Sequence, residues 1–173
     1  MTTTLTEQTI PTGTWTLDPV HSQVGYAVRH AGVSLFKGTV DGFDAVLTDG
    51  TLRGSAGVAG ITVSDENLAG HLLSPDFFDA ERFPQVSFTS TDIRSDGDEL
   101  VVEGELEIRG QRQPVRLSGT IAGPVNDRLG ITLETVIDRT DFGMTWNMEF
   151  PGGGVALENE VRLTADLELV KAE

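Results

Sequence analysis

The sequence predicts an all-β fold, an antiparallel β-barrel of about eight strands with a short helical insertion near residues 65–82. The main observation is a period-two alternation of apolar and polar residues, which is typical of strands that bury one face. It is clearest near the C-terminus, where the apolar positions are Val161, Leu163, Ala165, Leu167 and Leu169. Turn signals at Asp49-Gly50 and Asp96-Gly97 separate such segments. Together these patterns indicate a sheet of consecutive hairpins.

The alternation is clear in three segments, and further strands are suggested between the turn signals. The strands are expected at residues 22–30, 38–47, 55–63, 85–94, 102–108, 115–121, 129–138 and 161–169. Two of them, 102–108 and 115–121, form a hairpin through residues 110–114. Such a meander fits a barrel or a sandwich, and a closed barrel has the advantage that it leaves no strand edge exposed.

Residues 65–82 interrupt the strand pattern. Leu68, Leu72 and Leu73 have helical spacing, and Ser64 can cap the start of a helix. We therefore expect one or two short helices in this insertion.

Glycines inside the predicted strands bear on whether the barrel is packed or hollow. Glycine weakens a strand, so it is expected where the sheet bends sharply or where space must be left inside. The glycines concerned are Gly25, Gly38, Gly57, Gly104 and Gly119. The pattern alone leaves both interpretations open.

Composition limits the class of partner. The 173 residues, 38% of them hydrophobic, suit one domain, predicted at residues 14–173 after a flexible leader at residues 1–13. The formal net charge of -15 disfavours nucleic acid and anionic membrane surfaces as partners.

The leader lacks the basic and apolar segments of a secretion signal, so we expect a cytoplasmic protein. No run approaches the roughly 20 apolar residues that span a bilayer, so no membrane insertion is expected.

Motifs of several common enzyme and metal sites are absent from the sequence. The chain has no GxxxxGK, GxSxG or HExxH motif and no cysteine. Asp18, His21 and Ser22 resemble hydrolase residues, but a local turn explains them better, because neighbours on a strand face opposite sides. The three histidines share no ligand spacing, so no metal is expected. Residues 92–103 match part of a calcium loop, and a hairpin at Asp96-Gly97 is the better interpretation.

Five segments, in the same order along the chain, resemble the YceI-like family of polyisoprenoid-binding proteins. They are WTLDPVHS at 15–22 with VRH at 28–30, HLLSPDFFD at 71–79, FPQVSFTST at 83–91, GELEIRG at 104–110 with PV at 114–115, and DRTDFGM at 138–144. The resemblance extends from about residue 15 to residue 169. A match of several motifs in order is more specific than any single one of them.

The resemblance implies a lipocalin-like barrel that encloses an isoprenoid lipid, such as a polyprenyl phosphate or the tail of a quinone. The function expected from it is binding, storage or transport of this lipid, without catalysis and without a cofactor. The resemblance also allows a homodimer. The alternative is an enzyme that acts on an apolar substrate in the same cavity, with His30 or Asp18 as the acid or base.

Alternation and the resemblance together define candidate ligand contacts. The strand positions expected to face inward are Val24, Tyr26, Val28, Val40, Phe88, Leu106, Ile108, Leu117, Leu133 and Leu163. Large side chains expected to close over an apolar chain are Phe36, Phe43, Phe77, Phe78, Trp146 and Met148. For each of these positions, an ordinary core residue is the competing interpretation.

Four positive or ionisable side chains lie in the resembling motifs and are candidates for a polar head group. They are His21, His30, Arg109 and Arg139. For Arg139 the preferred interpretation is a structural ion pair with Asp141. Because the chain is strongly acidic, a lipid with a neutral head group fits as well as an anionic one.

Overall fold

The structure, a computed structural model, describes residues 10–173, and most of its regular structure is antiparallel sheet. The strands are β1 (Thr14–Leu17), β2 (Gln23–His30), β3 (Ser34–Val40), β4 (Asp44–Thr48), β5 (Thr51–Gly57), β6 (Gln85–Asp96), β7 (Glu99–Ile108), β8 (Gln111–Val125), β9 (Arg128–Asp138) and β10 (Leu157–Lys171). The α-helix α1 (Glu66–Leu73) follows β5, and short 3-10 turns occupy Pro19–His21, Val58–Gly60 and Arg139–Phe142. Among the described helices, none is both long and apolar enough to cross a membrane.

Eight of the strands close into a barrel. Their hydrogen-bonded order is β1, β4, β5, β6, β7, β8, β9, β10, and β10 pairs again with β1. On one side β10 pairs with β9 over most of its length, and on the other side its two halves pair with β2 and β1. The predicted antiparallel barrel is therefore confirmed.

The β2–β3 hairpin extends the barrel wall beside β10. β3 is the terminal strand in the order, and its last residues bond the loop that follows β5. Thr39 N donates to Thr62 Oγ1 at 2.9 Å, and Tyr26 Oη donates to the Thr62 carbonyl oxygen at 2.8 Å. The hairpin is thus held by β10 on one side and by residues 60–62 on the other.

The two ends of the barrel differ. At one end, the turn end, two-residue turns at 49–50, 97–98 and 126–127 join consecutive strands. At the other end, the cap end, lie α1, the 3-10 turn Arg139–Phe142 and the loop of residues 143–156. The long connections, which are the segments able to cover an interior site, are therefore gathered at the cap end.

Three features of the strands differ from the prediction. Residues 38–47 form two strands, because Gly42 adopts φ +72 and bends the chain between β3 and β4. The strand predicted at 55–63 lies at 51–57, and it ends where the 3-10 turn Val58–Gly60 begins. β1 was not predicted, because four residues are too few to display an alternation.

The prediction for the N-terminus needs a partial correction. Residues 1–9 of the predicted leader lie outside the described residues. Ile10 packs against the core, and Gly13 N donates to Asp49 Oδ1 at 3.0 Å. Residues 10–13 therefore belong to the folded domain and not to a flexible leader.

The helical insertion is confirmed, with a different capping residue. The side chain of Asp65 accepts a hydrogen bond from Leu68 N at 2.8 Å, so Asp65 is the N-cap instead of Ser64. A carboxylate at this position also interacts favourably with the positive end of the helix dipole. After Leu73 the chain continues to Arg82 in turns and not in a second α-helix.

Candidate functional site

The barrel interior has two halves that differ in burial. In the first, which we call the sealed half, the inward side chains are almost fully buried, and in the second many of them retain solvent-accessible surface. The sealed half is at the turn end, where side chains at most 4% exposed include Trp15, Leu47, Leu52, Leu100, Ile121, Leu129 and Leu169. Toward the cap end a second buried cluster contains Ile108, Ile137, Phe142 and Met144. Other inward side chains of this half are only partly buried, among them Val24, Tyr26, Val28, Phe36, Val40, Leu117 and Leu163. An inward apolar side chain that keeps accessible surface has space beside it that protein atoms do not fill.

Most of the predicted strand contacts lie in this second half. Together they form what we call the inner apolar surface, composed of Val24, Tyr26, Val28, Phe36, Val40, Phe88, Leu106, Leu117 and Leu163. Two predicted contacts, Ile108 (6% exposed) and Leu133 (2% exposed), are instead buried in core clusters. Partly buried members of the surface also contact these clusters. Phe88 and Leu117, like Phe43, pack against the core of the turn end, and Leu106 and Leu163 pack against a second cluster nearer the cap end.

An aromatic cluster covers the cap end. The ring of His71 lies edge-on to Phe77 and Trp146, with centroids 4.9 and 4.6 Å away, and Phe77 lies 5.5 Å from Trp146. Phe78 packs against an adjacent apolar cluster. Met148, which was also predicted as a ligand contact, is 49% exposed and lies on the outer surface of this cap.

Two strand glycines make room for aromatic rings. A Cβ atom at Gly38 would overlap the ring of Tyr26, and one at Gly104 would overlap the carbonyl oxygen of Thr89 and lie 2.7 Å from the ring of Phe88. Gly38 is therefore required because a ring lies against the strand backbone, and Gly104 because both a ring and the backbone of the neighbouring strand approach it. The space left by these two glycines is used by the protein's own side chains.

Several other residues on the inward faces of these strands were not predicted as ligand contacts. Val161 and Ala165 on β10 and Val115 on β8 are partly buried and follow the period-two pattern, so the alternation already contained the signal. Thr135 pairs with Leu163 and shares its face, but a polar residue in this row gives no such signal. Its hydroxyl donates to a backbone carbonyl of β8, at 2.9 Å.

A surface cleft of about 720 Å³ opens in the wall between the start of β2 and the bend that joins β3 to β4. It is lined by residues 19–23 and 39–43 and by Asp166. Of the predicted ligand contacts, Val40 and Phe43 line this cleft. Because Val40 also belongs to the inner apolar surface, the cleft adjoins that surface.

Arg139 follows β9 directly and extends its row of inward side chains beyond Ile137. It lies at the cap end and is only 4% exposed. Its Nε donates to the carbonyl oxygen of Glu158 at 3.1 Å. Its Nη1 donates to the carbonyl oxygens of Met144 at 2.6 Å and Trp146 at 2.9 Å. Burial lowers the pKa of the Arg139 guanidinium. Arg139 thus ties β10 to the segment that covers the barrel mouth.

The predicted ion pair between Arg139 and Asp141 is wrong. All three hydrogen bonds of Arg139 go to backbone carbonyls, and the salt bridges within residues 10–173 do not include it. Asp141 is exposed, and its carbonyl oxygen accepts from Gln113 Nε2 at 3.0 Å. Within one tight 3-10 turn the two side chains point to opposite environments, so they do not pair.

The other head-group candidates are not brought together. His21 precedes β2 and His30 ends it, so roughly 30 Å of extended chain separates the two exposed rings. Arg109 Nη1 donates to the carbonyl oxygen of Gly143 and joins the β7–β8 turn to the cap. Asp18 and His30, the acid and base candidates of the enzyme alternative, also lie at opposite ends of β2.

Residues 92–103 form the predicted hairpin and not a calcium loop. β6 and β7 are joined by a two-residue turn in which Gly97 has φ +62, one residue later than predicted. The Arg94 guanidinium lies 3.0 Å from the Asp92 carboxylate and 3.5 Å from the Glu103 carboxylate. A side-chain cation therefore binds the acidic groups that had suggested calcium.

Asp18 is the centre of a surface network beside the cleft. It caps the turn Pro19–His21 and binds His21 Nδ1 at 2.8 Å, which confirms the local turn predicted for these residues. Arg128 Nη1 donates to Asp18 at 2.9 Å and to Glu168 at 2.6 Å. Asp18, His21 and Glu168 are close enough to hold a metal ion, but the Arg128 guanidinium already binds both carboxylates.

The Asp18→Asn variant is expected to lower the pKa of His21. The hydrogen bond with Asp18, followed by the charges of Asp18 and Glu168, raises the pKa of His21 above 6.5 in the wild type. Titration of the His21 ring resonances by NMR measures this change. Glu168→Gln is the control and should lower the pKa less, because Glu168 acts only through space. An unchanged pKa in Asp18→Asn would contradict the network.

The same network stabilises the fold within a defined pH range. Because the folded pKa of His21 is raised, its contribution is complete below pH 6.5 and is lost as the pH rises through the folded value. Hydrogen bonds from His21 and Arg128 lower the pKa of Asp18. The contribution of Asp18 is therefore complete above pH 3.8 and is lost as the pH falls. Both contributions are present between these two pH values.

Comparison with known proteins gives relatives and structural neighbours that cover most of the chain. Residues 15–169 match the model of the YceI-like domain. Protein YceI of Salmonella arizonae is 33% identical over 140 residues, which cover 74% of this chain and 73% of that protein. Burkholderia cenocepacia BcnA superposes with a TM-score of 0.73 at 20% identity, covering 88% of this chain and 98% of its own. A polyisoprenoid binding domain from Saccharophagus degradans, implicated in plant cell wall breakdown, superposes with a TM-score of 0.71 at 11% identity, covering 91% and 98%.

Proposed function

Because the chain belongs to the YceI-like family, we propose that its barrel binds an isoprenoid lipid and serves to store or transport it. The observation that carries this proposal is the inner apolar surface, whose side chains point inward and keep accessible surface. A structural neighbour is described as a polyisoprenoid binding domain, which supports the ligand class. A hydrocarbon chain is the ligand that such a surface binds best, because it requires area and shape and not directional bonds.

The free energy available from such a surface is large enough for tight binding. Each methylene-sized group that leaves water contributes roughly 0.8 kcal/mol, so a chain of about twenty carbons yields on the order of 15 kcal/mol. Immobilising the lipid and ordering its side-chain contacts offsets part of this gain. The remainder is sufficient for a complex that survives gentle purification.

The polar groups along the interior support binding and not turnover. The Tyr26 hydroxyl donates to the Thr62 carbonyl oxygen, and burial raises the pKa of this phenol further above its ordinary value of 10.0. The Thr135 hydroxyl likewise donates to a backbone carbonyl oxygen. Both hydroxyls are therefore committed to the fold and are not poised as an acid or a base.

Mass spectrometry of an organic extract of the purified native protein tests the proposal directly. We expect a polyprenyl or quinone species in stoichiometric amount. An unrelated acidic protein purified in the same way is the control for lipid that adheres non-specifically.

A second measurement decides the case in which the extract contains no lipid. Isoprenoid added at about 100 times its dissociation constant should stabilise a binding protein by roughly 2.7 kcal/mol, and the melting temperature should rise accordingly. An empty extract together with an unchanged melting temperature would contradict the proposed function.

A further inference from the structure

One buried nitrogen in the described part of the chain has hydrogen-bonding capacity that its surroundings do not use. It is Nη2 of Arg139, which is shielded from solvent and meets no acceptor, while Nε and Nη1 bind three backbone carbonyls. A buried charged donor without a partner is costly, and native proteins seldom retain one without a reason. Nη2 of Arg139 is therefore a donor that a bound ligand could use.

The positive charge of this guanidinium is also not neutralised by a bonded carboxylate. The nearest acidic residue in sequence, Asp138, directs Oδ1 toward Thr140, where it accepts from the backbone N at 2.9 Å and from Oγ1 at 2.6 Å. Carbonyl oxygens satisfy donors but carry no net charge. Asp138 acts on Arg139 only through space, so a cation without a bonded counter-ion is buried at the mouth of a barrel that belongs to a chain of net charge -15.

We infer that Arg139 receives the polar head of the bound lipid and that this head carries an anionic oxygen, as a phosphate or a carboxylate does. The inference rests on the proposed function, and it adds the class of head group and the direction of the ligand. Arg139 lies at the cap end of the inward row of β9, so the hydrocarbon chain extends from it along the inner apolar surface toward the turn end.

The chemistry of the free nitrogen favours an anionic head over a neutral one. The carbonyl of a quinone or the hydroxyl of an alcohol would accept a hydrogen bond but would leave the charge uncompensated. An anionic oxygen supplies both the acceptor and the counter-charge. Because Nη2 is shielded from solvent, the groups that cover it must move when the head reaches it.

Two lipids with the same chain and different heads test the inference on the wild-type protein. Geranylgeranyl phosphate should bind the delipidated protein at least about tenfold more tightly than geranylgeraniol, as measured by calorimetry. The preference should persist in about 0.5 M NaCl, where contacts between exposed charges are screened. Palmitate and hexadecanol, compared in the same way, show whether a carboxylate satisfies Arg139 as a phosphate does.

Two variants test whether the preference for the charged head group depends on Arg139. Arg139→Gln should reduce the preference for the charged head to less than about threefold, whereas Arg112→Gln, on an exposed arginine of β8 near the same end, should retain it. If Arg139→Gln does not fold, the comparison of lipids on the wild type still decides. Equal affinity for the charged and neutral members of both pairs would overturn the inference and leave the proposed function standing. If none of the four lipids binds, the proposed function fails, and the inference fails with it.

Discussion

Replacing Ala165 by tryptophan is expected to abolish most of the lipid binding while the barrel still folds. Ala165 lies midway along β10, opposite Val24 on β2 and Leu133 on β9, and its side chain is only partly buried. A tryptophan ring there would occupy space along the inner apolar surface. If it prevents about three methylene groups of the ligand from being buried, the loss is roughly 2.4 kcal/mol, or about fiftyfold in affinity. Titration with an isoprenoid alcohol measures the change.

A tryptophan on the outer face of the same strand is the matched control. Arg162 lies three residues away with its side chain 55% exposed, so Arg162→Trp should leave the affinity unchanged. Chemical denaturation of both variants separates a hollow interior from a packed one. In a hollow interior Ala165→Trp changes the stability little, whereas in a packed interior overpacking costs about 1–3 kcal/mol. Retained affinity in Ala165→Trp would place the ligand elsewhere.

Gly119→Ala should destabilise the fold by at least about 3 kcal/mol, because the new methyl group meets backbone and not a movable side chain. A Cβ atom at Gly119 would overlap the carbonyl oxygen of Thr132 on the neighbouring strand and would lie 2.7 Å from its carbonyl carbon. For a domain of this size such a loss lowers the melting temperature by about 6–12 °C. Thermal and urea unfolding followed by circular dichroism measure it.

Gly54→Ala provides the comparison for this substitution. Gly54 is also in a barrel strand, but a Cβ atom there would be 3.6 Å from its nearest neighbour, the Asp44 carbonyl oxygen, which is an ordinary contact. Alanine restricts the unfolded chain more than glycine does, so Gly54→Ala should be neutral or slightly stabilising. Equal losses in the two variants would show that strand propensity, and not the approach of Thr132, accounts for the effect.

The fold class could be predicted from the sequence because the signal is local. Alternation in β7, β8 and β10 specifies which side chains share a face, independently of which strands pair. The same signal placed Val24, Tyr26 and Val28 on the inner face, where the pairing of β2 with β10 puts them. Strand boundaries were less accurate where one glycine, Gly42, turns the chain.

The details of the candidate site depend on contacts between residues far apart in sequence. Tyr26 bonds the carbonyl of Thr62 and lies against Gly38, and Arg128 binds Asp18 across 110 positions. No periodicity encodes such pairs. The expected partner of Arg139 was wrong for this reason, since the neighbour in sequence, Asp141, is not its neighbour in space.

By itself the sequence determined an acidic antiparallel barrel with a helical insertion and one apolar face per strand, since charge and period-two patterning are properties of composition and of neighbouring residues. Only the tertiary structure decided which inward side chains are sealed into the turn end and which keep accessible surface near the cap. It also decided that Arg139 is buried with one nitrogen unpaired. The physical reason is that burial and hydrogen-bond satisfaction depend on how strands and loops distant in sequence pack together.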